Sequence, residues 1–142
     1  KPVITGGKRT VSMCFVDDLV SACIAAVSTR KTLNRTYFVG DKRGYTWSEI
    51  TSAIEKALGR RAFNVMIPAS FVRGLAYAVE RIAKAAGGKC PPLNSEKAVE
   101  ILHKRWVSDV SRFRKDTGFM PKYDLKRGVE MTVDWYKSRE LL

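Results

Sequence analysis

Larger apolar residues alternate with small ones over residues 10 to 16, with Val11, Met13 and Phe15 on one side, and this period of two predicts a strand. Asp17 follows as a candidate helix cap. Leu19, Val20, Cys23, Ile24 and Val27 then recur at helical spacing, so a helix is expected. Residues 36 to 39, Thr-Tyr-Phe-Val, are a β-branched and aromatic run ended by Gly40-Asp41 and read as a second strand. Thr46-Trp47-Ser48-Glu49 has the form of a capping box, opening a helix through Ile50, Ile54 and Leu58 to a left-handed cap at Gly59. Phe63 to Ile67 reads as a third strand stopped by Pro68.

Beyond Pro68 the period changes to that of helices. Phe71, Leu75, Val79 and Ile82 mark one helix face ending at Gly87-Gly88. A loop over Lys89 to Pro92 precedes a shorter helix that begins near Asn94 and carries Val99 and Leu102. Trp106-Val107-Ser108 reads as a brief extended piece, and Asp109 or Ser111 caps a short helix ended by Gly118. Asp124 caps a final helix with Val129, Val133 and Tyr136 on one face. The predicted order is β-α-β-α-β followed by several helices, an α/β chain whose early strands suit a parallel sheet. The strand-helix units occupy 10–67 and the helical part 68–142, within one domain spanning 1–142.

Composition narrows the class. With 142 residues, 45% of them hydrophobic, the chain is long enough to bury a core. It contains no apolar run of about 18 residues and no signal segment, so no membrane partner is expected. Its three cysteines, Cys14, Cys23 and Cys90, are odd in number and scattered, which fits a reducing cytoplasm and suggests neither a disulfide framework nor a thiolate metal site. The opening on Lys1, inside a stretch that reads as loop and strand, leads us to expect a fragment of a longer protein.

The net charge of +12 raises the question of a nucleic-acid partner. The cations are dispersed, however, as Lys8-Arg9, Arg30-Lys31, Lys42-Arg43, Arg60-Arg61, Lys104-Arg105 and Arg114-Lys115, mostly at element ends. They follow no helix-turn-helix, zinc-finger or RNP pattern and are not interleaved with aromatic residues. A basic module for nucleic acid or another polyanion is carried as the alternative of another class.

Self-contained chemistry is scarce. The single histidine, His103, has no second metal ligand at suitable spacing, so no metal site is expected. Asp17-Asp18 is an acidic pair at a strand-helix junction. We assign the first to capping and the second to the positive end of the helix dipole, ahead of acid-base or magnesium chemistry. Gly6-Gly7-Lys8 precedes a strand instead of a helix, the wrong context for a phosphate loop.

The succession of segments says more than any one of them. Phe15-Val16-Asp17-Asp18-Leu19-Val20, Thr36 to Asp41, Tyr45 to Ile50, Ala57-Leu58-Gly59-Arg60 and Ile67-Pro68 occur in that order. They are followed by Trp106 to Arg112, Thr117 to Pro121, Leu125 to Gly128 and Thr132 to Tyr136. In this order they resemble the C-terminal, substrate-binding portion of extended short-chain dehydrogenases, the superfamily of NAD-dependent epimerases and dehydratases. The likeness covers nearly the whole chain.

The resemblance implies a Rossmann-type parent enzyme with NAD or NADP bound in an N-terminal domain, a small-molecule substrate, and a homodimer as one possible assembly. It also implies a glycine-rich turn and a Tyr-x-x-x-Lys pair, and this sequence has neither. No catalytic residue and no cofactor-binding residue is therefore assigned to this chain, which should be inactive alone. By position in the family pattern, the substrate-binding candidates are Arg9, Val11, Met13 and Trp106, with ordinary core as the competing role for the last three. Sugar-nucleotide epimerases of the superfamily place an arginine where Val11 stands. Together with Tyr45 to Glu49, Pro91 to Asn94 and Trp106 to Asp109, this is more similar to the branch of 3β-hydroxysteroid dehydrogenases and dihydroflavonol reductases. The expected chemistry is alcohol-ketone redox on a bulky substrate, with nucleotide-sugar epimerisation or dehydration as the alternative.

Overall fold

A computed structural model describes residues 1–88 and 91–142. The expected loop start at Lys89, and Cys90, lie outside the described residues. In chain order the first elements are β1 (Pro2–Ile4), β2 (Thr10–Val11), α1 (Val16–Val27), a 3₁₀ turn (Arg30–Thr32), β3 (Tyr45–Thr46) and α2 (Trp47–Leu58). They continue as β4 (Val65–Ile67), α3 (Ala69–Ala85), α4 (Ser95–Leu102), β5 (Arg105–Trp106), α5 (Ser111–Thr117) and α6 (Leu125–Ser138). Two compact units result, one from Lys1–Arg9 with Ala62–Lys104, the other from Thr10–Arg61 with Arg105–Leu142. Each draws on both the strand-helix part and the helical part of the sequence.

In the first unit β1 and β4 form a parallel pair, with Ile4 opposite Ile67. Helices α3 and α4 pack on one another around the buried Ala76, Ala98 and Leu102. Glu80 fastens them: its carboxylate accepts the Ser95 backbone N–H at 3.0 Å and the Lys84 ammonium at 2.6 Å. Asn94 caps α4 as expected, accepting from the Lys97 N–H.

The second unit is built on a three-stranded sheet with β2 in the middle. β2 runs antiparallel to β3, with Val11 opposite Tyr45, and parallel to β5, with Val11 opposite Trp106. Gly44 is required here: a β-carbon on it would lie 2.7 Å from Thr10 Cγ2 and 2.9 Å from Val107 Cγ2. Helices α2 and α6 pack together and bury Ile50 and Val133. The capping box at Thr46 and Glu49 forms in full, Gly59 takes the left-handed cap at φ 64°, and Asp124 caps α6. Gly118 likewise ends α5 in the left-handed region.

The structure corrects several expectations. The strand predicted over 10–16 is a ladder only at Thr10–Val11, because β3 and β5 are each two residues long. One bond continues it, from Ser12 N–H to the Trp106 carbonyl. Residues 36–39 form no strand: Tyr37 is held by side-chain contacts, and the antiparallel partner of β2 is Tyr45–Thr46. The cap of α1 is Phe15, not Asp17. The apolar stripe of α1 points outward, with Leu19, Val20, Ile24 and Val27 exposed while Ala22 is buried. On α3, Phe71, Leu75 and Ile82 are likewise exposed. The spacing of these stripes was legible, but their direction depends on what packs against them. The strands form two small mixed and parallel pairings, so the α/β class with short parallel strands and several helices holds.

Candidate functional site

Strand β2 and the extended segment after it form the spine of the candidate site. Alternation places Val11 and Met13 on one side of this spine, and pairing places Trp106 beside Val11. Val11 is half-buried, Met13 is 37% exposed and Trp106 is 54% exposed, so none of the three is closed into the core. The structure thus brings three of the four candidates into one unit. Arg9 belongs to the other. It is buried, and its Nη atoms donate to the carbonyls of Ile4 (2.8 Å), Gly7 (3.5 Å) and Thr5 (3.3 Å). Its Nε has no hydrogen-bond partner. Gly6 and Gly7, at φ 107° and 111°, give the chain the turn that these bonds hold.

Met13 also lines a cavity of about 490 Å³ within the second unit. Ile50, Ile54 and Leu58 from α2 face Val129, Val133 and Tyr136 from α6 across it, and Asp41 and Asp124 stand among its polar residues. Its size falls in the range that accepts small molecules. Asp41 is buried, which raises its pKa; Asp18 and Asp124 raise it further, while a hydrogen bond with Tyr45 opposes them. The same burial and the bond to Asp41 raise the Tyr45 hydroxyl. Tyr45 Oη also accepts the Leu125 N–H at 3.4 Å, which anchors the start of α6.

The acidic pair of the sequence separates. Asp17 is exposed in the first turn of α1, where its charge suits the helix dipole. Asp18, also in the first turn, is 1% exposed and accepts the N–H groups of Lys122 (2.9 Å) and Tyr123 (3.0 Å), so it ties a distant loop as well. The Phe15 ring meets that of Tyr123 at a tilt of 53° and a centroid distance of 4.9 Å, and approaches Gly128, whose added β-carbon would lie 3.0 Å from it. Sequence reasoning missed Asp18, Asp41 and Tyr45 as a connected group; only the adjacent aspartates gave a signal.

The remaining candidates offer no chemistry of their own. Cys14 is half-buried, and burial together with Asp18 and Asp41 raises its pKa, the opposite of what a nucleophilic thiol requires. His103 follows α4 beside Leu102 and Lys104. Among the described residues no group of three metal-ligating side chains occurs, and no helix is long and apolar enough to cross a membrane. The Gly6-Gly7 turn leads into β2, not into a helix N-terminus whose N–H groups could receive a pyrophosphate.

No family model matches the chain. It is 24% identical over 139 residues to the uncharacterized protein y4nL of Sinorhizobium fredii, covering 94% of this chain and 38% of that protein. It is 25% identical over 144 residues to 3beta-hydroxysteroid-dehydrogenase/decarboxylase isoform 1 of Arabidopsis thaliana, covering 94% of this chain and 33% of that protein. The crystal structure of UDP-glucuronic acid 4-epimerase from Bacillus cereus in complex with NAD matches 97% of the chain and 34% of its own length. That match has a TM-score of 0.63 at 18% identity. The fold is that of part of a Rossmann-type epimerase or dehydratase. The resemblance to that superfamily holds, and the chain spans about a third of the length of these relatives, which fits a C-terminal portion.

Proposed function

We propose that this chain is the substrate-binding portion of a cytoplasmic NAD(P)-dependent oxidoreductase that acts on an alcohol or ketone of a bulky, partly apolar substrate. A dinucleotide-binding domain supplies the cofactor and the catalytic residues. Val11, Met13 and Trp106 line the substrate, and Arg9 fixes the turn that leads into β2. The observation that carries this reading is the pairing of Val11 with Trp106. It lays an apolar strip along the spine at the position where sugar-nucleotide epimerases carry an arginine for the diphosphate. The similarity to a protein named as a 3beta-hydroxysteroid dehydrogenase/decarboxylase supports it.

A second reading, nucleotide-sugar epimerisation or dehydration, is favoured by the likeness to UDP-glucuronic acid 4-epimerase. The two separate in one assay. Full-length protein is given NAD(H) or NADP(H) with a hydroxysteroid, a dihydroflavonol, or UDP-glucose and UDP-glucuronic acid. Redox turnover of the alcohol or ketone that exceeds sugar epimerisation supports the proposal. Faster epimerisation overturns it, and Val11→Arg should then improve sugar-nucleotide KM instead of weakening turnover of the apolar substrate.

A further inference from the structure

The cavity between α2 and α6 carries a charge opposite to that of the protein as a whole. On a chain of net charge +12, the described residues that line it include two carboxylates, Asp41 and Asp124, and no lysine, arginine or histidine. The cations near these carboxylates in sequence are engaged elsewhere or turned to solvent. Arg43 pairs with Glu49 at 2.8 Å, and Lys126 and Arg127 lie 4.0 and 3.8 Å from Glu130. Lys42 and Lys122 are exposed. Asp41 is only 9% exposed and shares a hydrogen bond with the neutral Tyr45 hydroxyl, so its charge is buried without an ion-pair partner among the described residues.

Around these two groups the wall is apolar, with Ile50, Ile54 and Leu58 from α2 facing Val129, Val133 and Tyr136 from α6. An apolar cavity of about 150 Å³ already admits benzene. The 490 Å³ here leave room for a ring and a short chain. We propose that this cavity is a binding site for an apolar molecule bearing one ammonium group, held with the ammonium at Asp41 and Asp124 and the apolar body between α2 and α6. The site shares Met13 with the strip of Val11 and Trp106 but does not depend on the redox chemistry proposed for that strip. Other occupants fit less well. An anion would meet two carboxylates. A neutral apolar molecule would leave Asp41 buried with no counter-charge. A metal ion would lack ligands, because among the described residues no group of three metal-ligating side chains occurs and an apolar wall cannot replace a hydration shell.

Three probes of one shape separate charge from fit: phenylbutylamine, phenylbutanol and phenylbutyrate, each with the ring at the chain end, are cation, neutral molecule and anion at neutral pH. Their binding to the full-length protein is followed by calorimetry and by the methyl NMR signals of Met13, Ile50 and Ile54. The amine should bind about tenfold more tightly than the alcohol and shift those signals, and the butyrate should not bind. Asp41→Asn keeps the shape of the side chain and should remove the advantage of the amine while leaving the alcohol unchanged. Ile54→Trp, at a position 38% exposed that can accept the larger ring, should weaken both by about tenfold or more by filling the cavity. The proposal is overturned by absence of amine binding to the wild-type protein or by butyrate binding as tight as that of the amine. It is equally overturned by an amine advantage that survives Asp41→Asn, by Ile54→Trp without effect, or by methyl shifts confined to other residues.

Discussion

Asp18 on α1 and Tyr123 before α6 are joined across 105 positions of sequence by a 3.0 Å hydrogen bond from the Tyr123 N–H to the Asp18 carboxylate. The other carboxylate oxygen takes the Lys122 N–H at 2.9 Å. Replacement by alanine leaves two N–H groups without their acceptor in a buried site. Asp18→Ala should therefore lower stability by about 2–5 kcal/mol in urea unfolding. A loss below about 1 kcal/mol would mean that water replaces the carboxylate.

Gly44→Ala and Gly74→Ala should act in opposite directions. The first drives a methyl group into Thr10 and Val107 at the centre of the β2 sheet and should cost about 1–3 kcal/mol. The second lies inside α3 with nothing within 4 Å of its added β-carbon, and should stabilise by roughly 0.5–1 kcal/mol through helix propensity. Thermal melts of the two variants check both signs.

The acid limb of stability should depend on Glu49 and Glu80. The Thr46 N–H, then Arg43, lower Glu49 from 4.5 to about 2. Lys84, then Ser95, lower Glu80 from 4.5 to about 2. Both folded values lie below the unfolded one, so their contribution is present above about pH 4.5 and is lost as pH falls towards 2. The Glu49→Gln and Glu80→Gln double variant should show a shallower fall in Tm across that window. An unchanged slope would assign acid sensitivity to other groups.

Asp41 carries the opposite sign. Burial, then Asp18 and Asp124 working against the Tyr45 hydrogen bond, raise it above its ordinary 3.8, so its ionisation weakens the fold as pH rises from that value through the folded one. Asp41→Asn should thus gain stability relative to wild type at neutral pH and not at pH 3.5. Equal gains at both values would exclude a charge origin.

A charge of +12 invites a direct trial of polyanion binding. With the cations dispersed, the protein should show no binding to duplex DNA or single-stranded RNA that survives about 0.15 M salt. A steep log-log salt slope starting from tight binding would instead favour the basic-module alternative.

Local chemistry was legible in the sequence and non-local chemistry was not. The Thr46–Glu49 box, the caps at Asn94 and Asp124 and the left-handed Gly59 and Gly118 all depend on neighbours within a few residues. The strands do not: Tyr45–Thr46 becomes a strand because Thr10–Val11 lies beside it, whereas the more strand-like Thr36 to Val39 finds no ladder. Tyr37 instead donates its hydroxyl to Asp116 at 2.7 Å and meets Phe113 edge-on. The pairing of Val11 with Trp106 joins two residues that sequence reasoning had singled out separately. Asp18 was hidden because its acceptor role depends on a loop more than a hundred residues away.

The sheet around β2 also dictates an order of assembly. Its middle strand is made early, one edge strand comes from Tyr45–Thr46, and the other comes from Arg105–Trp106 after the whole of Ala62–Lys104 has intervened. During synthesis the second unit must therefore wait with an open strand edge and an uncovered α2 until its last 38 residues, Arg105–Leu142, emerge. Nascent chains halted before Arg105 should be the ones that chaperones hold.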